Sequence, residues 1–143
     1  MNVNLKRLGV VFAMGLGLFS ASGEATADTR YNCDMSGVWV EDKDSFQFSA
    51  AYIAKDGPDT FTGVYTNASA GAVASVNGVA SNGTWVISLK YTDAKHRGYE
   101  KSLLGTGTRD KKSNSITIKG TFNAKKDGRE VQKGTFSMIG KCK

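Results

Sequence analysis

The chain has 143 residues, with 19 lysines and arginines against 13 aspartates and glutamates, giving a formal net charge of +6. This length fits one domain with one core and excludes several large domains. The charge permits anionic partners, but the cations are spread along the chain and their doublets, Lys111-Lys112 and Lys125-Lys126, fall in predicted turns, a pattern typical of a solvated surface and not of a nucleic-acid site.

The first predicted element is a signal peptide. Lys6-Arg7 precede an apolar stretch, Leu8 to Phe19, that is too short for an ordinary membrane-spanning helix. The small-x-small pattern of Ala25-Thr26-Ala27 predicts cleavage after it, so residues 1–27 are excluded from the fold and the net charge falls from +6 to +5. The alternative is an uncleaved membrane anchor. Cleavage predicts that residues 28–143 form a single domain that is periplasmic or secreted, without stable membrane insertion.

The rest of the chain predicts strands. Short alternating runs of apolar and polar residues recur about every dozen positions with turn residues between them, as in all-β sandwiches and barrels. The turns, such as Ser81-Asn82-Gly83 and Lys126-Asp127-Gly128, contain residues that tolerate left-handed backbone and are short enough for hairpins. Eight strands are predicted, at Ser36 to Asp42, Ser45 to Ala54, Thr60 to Asn67, Gly71 to Ala80, Gly83 to Thr92, Tyr99 to Arg109, Ser115 to Ala124 and Arg129 to Gly140.

Two cysteines, Cys33 and Cys142, flank this series of strands. In an exported chain they are expected to form a disulfide; free thiols or a two-ligand metal site are the alternatives, although His96 is the only histidine. Hairpin-linked strands can form an open sheet or a closed barrel, and bonded cysteines need Cα atoms within about 7 Å. The pair therefore favours an eight-stranded antiparallel up-and-down β-barrel, all-β and closed by a disulfide between its ends, without exposed sheet edges.

Alternation within the strands predicts which side chains point into the barrel, since alternate residues share a face. The inward set is aromatic-rich: Trp39, Phe46, Phe48, Tyr52, Phe61, Gly63, Tyr65, Trp85, Ile87, Leu89, Tyr91, Ile116, Ile118, Phe122, Phe136 and Met138. Triplets of glycine, β-branched residue and aromatic, such as Gly37-Val38-Trp39, recur in five strands, where the glycine permits sharp coiling. An eight-stranded barrel can be filled by such side chains or can hold one small ligand, and both cases predict this pattern.

Two motifs near the start of the barrel resemble known families. Gly37-Val38-Trp39, with Ser45 downstream, and Phe61-Thr62-Gly63-Val64-Tyr65 look like the opening of avidin-type biotin-binding barrels, and Gly-x-Trp on a first strand is shared with lipocalins. The segment Asp127 to Lys133 resembles an avidin hairpin. The resemblance implies a small calycin-type barrel that binds a ligand inside.

The same resemblance implies a ligand-binding set. Ser45, Tyr65 and Asn67 would make polar contacts, with Glu41 as a further polar candidate near the same barrel mouth. Phe136 would form a pocket wall in place of a tryptophan. The complete predicted set is Trp39, Ser45, Tyr65, Asn67, Trp85, Leu89 and Phe136.

Three classes of function follow from this sequence. The first is a non-enzymatic binding protein that holds a small, partly apolar ligand in the barrel. The alternative is a protein-interaction or inhibitor module that binds an anionic protein or polymer through surface loops such as Thr92 to Gly98, on a filled barrel scaffold. An enzyme is disfavoured because the chain has one histidine, no Gly-x-Ser-x-Gly and no metal-spaced cluster, so we predict no catalytic residue, metal or cofactor.

Overall fold

The computed structural model describes residues 29–143, and the predicted signal peptide, residues 1–27, lies outside the described residues. The strands follow one another around a closed antiparallel barrel in chain order. Their bounds are β1 Thr29–Trp39, β2 Asp44–Ala54, β3 Asp59–Asn67, β4 Ala72–Ser81, β5 Thr84–Tyr91, β6 Tyr99–Asp110, β7 Ser115–Lys126 and β8 Arg129–Cys142. A short 3-10 turn, Ala94–His96, lies between β5 and β6. The predicted eight-stranded barrel is confirmed.

Pairing of β1 with β8 closes the barrel. The register runs from Cys33 opposite Cys142 to Trp39 opposite Phe136. Cys33 and Cys142 are bonded, with their Cα atoms 4.0 Å apart, so the predicted disulfide is confirmed. A disulfide is the form that cysteines take in an oxidising compartment outside the cytosol.

The first strand begins before its predicted start and the last strand ends after its predicted end, whereas β1 ends at Trp39 and not at Asp42, because residues 40–43 form a turn. β1 begins at Thr29, not Ser36, because its first half pairs with β2 and, from Cys33 onward, also with β8. β8 continues to Cys142 for the same reason. The cysteines therefore lie within the strands as a directly opposed pair, and not outside them as predicted.

Aromatic side chains fill the middle of the barrel. The Trp39 ring lies 4.4 Å from Phe46 and 4.7 Å from Phe122, measured between centroids, and Phe48 lies 6.0 Å from Phe61. The predicted inward residues are all buried except Gly63 and Tyr91, which are half-buried. Gly37 lies directly against the Phe46 ring, where a Cβ atom would come within 2.3 Å of a ring carbon. Such close contacts between large side chains leave the interior packed, as protein cores are.

The two ends of the barrel carry different connections. We call the end that carries the disulfide and the β2–β3, β4–β5 and β6–β7 turns the disulfide end. The opposite end, which carries the β1–β2, β3–β4, β5–β6 and β7–β8 connections, is called the His96 end.

Within residues 29–143, no helix is long and apolar enough to cross a membrane.

Candidate functional site

The predicted ligand-binding residues are divided between the two ends of the barrel. Trp39 contacts Tyr65 and Phe136 near the His96 end, with ring centroids 6.2 and 6.4 Å apart, and its indole N–H donates to the Tyr65 hydroxyl at 3.2 Å. Trp85 instead packs on Tyr52 toward the disulfide end. Leu89 is fully buried between them. The structure therefore does not gather this set around one pocket.

Ser45 lies on the outer wall of the barrel and is exposed. It follows Asp44 at the start of β2, and its neighbour Phe46 points inward, so strand alternation turns the Ser45 side chain outward. Its predicted place in an interior pocket is therefore wrong. Glu41 is also exposed, and its carboxylate accepts hydrogen bonds from the Thr135 backbone N–H at 2.7 Å and hydroxyl at 2.6 Å, which lower the pKa of Glu41.

Asn67 is buried, but its polar atoms are already bonded within the His96 end. Its amide N–H donates to Asp44 at 2.8 Å, and its carbonyl oxygen accepts from the Ser69 hydroxyl at 2.9 Å and from the Ala70 backbone N–H at 3.2 Å. Hydrogen bonds from Asn67 and Ser69 lower the pKa of Asp44. Asn67 thus joins the β1–β2 and β3–β4 connections.

Lys101 occupies the interior of the His96 end, a position that sequence reasoning missed. The side chain is only 9% exposed, and its amine lies 3.8 Å from the centroid of the Trp39 ring and 4.9 Å from that of Phe122. Among the described residues, no carboxylate lies within ion-pair distance of this amine. Burial lowers the pKa of Lys101 to about 8, although the charges of Asp42 and Asp44 oppose that shift. The alternation of β6 places Lys101 on the inward face, so this position could have been found from the sequence pattern.

The connection between β5 and β6 covers the same end. The His96 ring packs between Tyr91 and Tyr99, with centroids 5.4 and 5.6 Å away, and its Nδ1 lies 2.6 Å from the Asp93 carboxylate. Asp93 also accepts from the Val73 backbone N–H at 2.9 Å, which ties the connection to β4. Only 19% of the His96 side chain is exposed, although it lies in a polar surface loop.

The disulfide end contains a cavity of about 420 Å³ that opens to solvent. The Trp85 indole N–H donates to the Gly107 carbonyl at 3.2 Å, and the Tyr52 hydroxyl donates to the Asp59 carboxylate, so both rings are held in place. Burial, together with Asp59, raises the pKa of Tyr52 to about 12. The lining consists of Tyr52, Ala54, Lys55, Asp59, Ala80, Ser81, Asn82, Gly83, Trp85, Gly107, Thr108, Arg109 and Lys111.

Arg109 reaches across the mouth of this cavity. It belongs to β6, yet its guanidinium carbon lies 4.4 Å from the centroid of the Tyr31 ring on β1 and 5.7 Å from that of Tyr52 on β2. One N–H of the guanidinium donates to the Asn114 side chain at 3.1 Å. Of the predicted set, only Trp85 lines this cavity.

A second concavity, of about 730 Å³, lies on the outer wall over β5, β6, β7 and β8. Val86 and Leu104 line it, are more than half exposed, and are direct cross-strand partners. Val79 pairs with Val86 on the other side, so three large apolar side chains form an exposed row around the wall.

Within the part of the chain that the structure describes, no group of three or more His, Cys, Asp or Glu side chains is placed to hold a metal ion. No protein-family model, curated protein or solved structure matches the chain. The function is therefore inferred from the geometry of the two ends and the outer wall.

Proposed function

We propose that the chain is an exported, non-enzymatic binding protein, periplasmic or secreted, that holds a small, partly apolar ligand at the disulfide end of its barrel. The observation that carries this proposal is the cavity of about 420 Å³ over Trp85 and Tyr52. Its volume is within the range of about 300 to 1,000 Å³ typical of small-molecule sites. Aromatic side chains fill the middle of the barrel, and this supports a ligand site at the mouth in place of the deep pocket that the calycin resemblance implies.

The composition of the cavity supports the same proposal. Two aromatic side chains, Trp85 and Tyr52, provide apolar surface, and polar groups of Asp59, Asn82 and Arg109 surround it. Small-molecule sites combine an apolar wall with a few placed polar groups in this way. Both rings are fixed by hydrogen bonds before any ligand arrives, which lowers the entropy cost of binding.

The two tryptophans provide a test because they lie at opposite ends. In a Trp39→Phe variant, fluorescence comes from Trp85 alone, whereas a Trp85→Phe variant reports from Trp39 alone. We expect compounds that raise the melting temperature in a small-molecule screen to change the emission of the first variant and leave that of the second unchanged. A response confined to the Trp39 reporter, or a screen without any stabilising compound, would contradict the proposal.

A protein-binding function is the second candidate, and the exposed row of Val79, Val86 and Leu104 favours it. Large apolar side chains that are adjacent and exposed often mark a protein interface. A Leu104→Lys variant should then lose a partner that the wild-type protein retains in a pull-down, whereas its small-molecule binding stays unchanged. Equal recovery of the partner by both proteins would count against this function.

A further inference from the structure

We infer that the cavity at the disulfide end recognises an acidic group on its ligand, a carboxylate or a phosphate, and that Arg109 binds it; this inference rests on the function proposed above. The ligand class is a small molecule with an apolar or aromatic body and one anionic group.

The guanidinium of Arg109 has more N–H donors than its protein neighbours accept. It carries five N–H groups. Asn114 accepts from one of them at 3.1 Å. Among residues 29–143, no carboxylate forms an ion pair with Arg109. A half-buried guanidinium with unpaired donors at the mouth of a cavity can bind an acceptor from outside the protein.

The carboxylate that lines the cavity does not neutralise this guanidinium. Asp59 accepts from the Lys55 backbone N–H at 2.9 Å through one oxygen and from the Tyr52 hydroxyl through the other. The lining carries three cations, Lys55, Arg109 and Lys111, against this one carboxylate. The excess of positive charge in a concave site attracts anions and disfavours cationic ligands.

The orientation of Arg109 suits a planar or tetrahedral acid. The Tyr31 and Tyr52 rings support the guanidinium, so little side-chain entropy remains to be lost on binding. A guanidinium offers parallel N–H pairs that match two oxygens of a carboxylate or phosphate. An acidic group on Arg109 leaves the rest of the molecule to contact Trp85, which lines the same cavity.

The experiment compares matched aromatic probes that differ in charge: benzoate, phenyl phosphate, benzyl alcohol and benzylamine. Affinities are measured from Trp85 emission in the Trp39→Phe background, for otherwise unaltered protein and for the Arg109→Gln and Arg109→Lys variants. A Lys119→Gln variant removes the same charge from the exposed outer wall of β7 and serves as the control. Benzoate and phenyl phosphate separate the two sources of anionic oxygen.

We expect an anionic probe to bind at least tenfold more tightly than benzyl alcohol, and benzylamine to bind most weakly. Arg109→Gln should weaken anion binding 10- to 100-fold, as loss of a charged hydrogen bond does, and leave benzyl alcohol unchanged. Arg109→Lys, which keeps the charge and loses the planar fork, should be intermediate and also serves if Arg109→Gln does not fold.

Two different failures are distinguishable. Equal affinity for benzyl alcohol and both anions, or an anion preference that Arg109→Gln and Arg109→Lys retain, overturns the role of Arg109 and leaves the binding site at the disulfide end in place. Binding of none of the four probes, the neutral one included, contradicts the proposed function itself.

Discussion

Each end of the barrel contains a cation that points inward from β6, but one cation is buried and the other lies at an open cavity. Lys101 and Arg109 share the interior face of β6, and each stacks on aromatic rings, Lys101 on Trp39 and Arg109 on Tyr31. At the His96 end the amine is buried against the Trp39 and Phe122 rings. At the disulfide end the guanidinium spans an open cavity. A cation stacked on aromatic rings therefore fills one end and borders an open cavity at the other.

The difference comes from what lies beside each cation. Leu103 follows Lys101 on the inward face and is buried, whereas Gly107 precedes Arg109 and lines the cavity without a side chain. An amine is a compact charge that aromatic faces can cover, but a guanidinium is wider and has more donors than its neighbours accept. The disulfide end therefore combines an open cavity with a guanidinium that has more donors than Asn114 accepts, and the binding function proposed above depends on both features.

The largest expected effect is loss of the disulfide. Cys33 and Cys142 are separated by 109 positions, and chain-entropy models assign such a crosslink about 4 kcal/mol. Reduction, or a Cys33→Ser/Cys142→Ser variant, should lower the free energy of unfolding by that order, as measured by urea denaturation with and without reductant. An unchanged midpoint would show that β1–β8 pairing alone holds the barrel closed.

Replacing Lys101 should change how stability depends on pH. The pKa of Lys101 is about 8 in the folded protein, against an ordinary value of 10.5. Between pH 8 and 10.5, Lys101 is therefore protonated more fully in the unfolded chain than in the folded one. The free energy of unfolding of the wild-type protein should therefore rise with pH from about 8 to 10.5, by up to about 3 kcal/mol, a rise that Lys101→Met lacks.

The measurement is the difference between the two proteins in urea denaturation across this pH range. Taking the difference matters because Tyr52 and Tyr91 have raised pKa values, keep their protons in the folded state, and lower stability as pH rises above 10. Parallel curves for wild type and Lys101→Met would contradict a buried, charged amine.

A Gly107→Ala substitution should damage the disulfide end specifically. A Cβ atom there would come within 2.0 Å of the Thr117 carbonyl oxygen, so β6 and β7 would have to separate. We expect a loss of about 2 kcal/mol and weaker ligand binding, since the added methyl group strains a packed sheet. Thermal unfolding and probe titration measure the two effects. Unchanged affinity would mean that separating β6 from β7 at Gly107 does not alter the site.

The smallest expected effect is that of Tyr52→Phe. It removes the hydrogen bond from the Tyr52 hydroxyl to Asp59 and should cost about 1 kcal/mol. Tyr31→Phe is the matched control, because Tyr31 also contacts Arg109 through its ring. Equal melting temperatures of the two variants would contradict a stabilising hydrogen bond from the Tyr52 hydroxyl to Asp59.

The sequence predicted the barrel because its strands alternate strictly and its turns are chemically distinct. The inward face of β5 could be predicted from the alternation of Trp85, Ile87 and Leu89, and the closed barrel from the two cysteines. The site was harder to predict. Ser45 was placed inside by a motif resemblance, although the alternation of β2 turns it outward. Lys101 and Arg109 also lie on the inward face by alternation, but charged residues there look like turn or surface positions until their aromatic partners are known.

Whether the barrel is filled could not be decided from residue types, because aromatic side chains serve equally as packing and as pocket wall. The answer depends on how the Trp39 and Phe46 rings pack across the barrel and on the space beside Gly107, and neither is encoded in periodicity. Only the three-dimensional arrangement separates the packed interior from the open mouth.

The closing pair of strands also determines how the barrel assembles. Every other neighbouring pair is formed by consecutive strands, which need only a short turn to meet. Pairing β1 with β8 brings together strands that are far apart in the chain. This step therefore has the largest entropic cost of loop closure and is expected to come last. With the disulfide formed first, β1 and β8 behave as one more hairpin. Oxidation thus converts the slowest step of folding into a local one, and the oxidised chain should refold faster than the reduced chain in stopped-flow experiments.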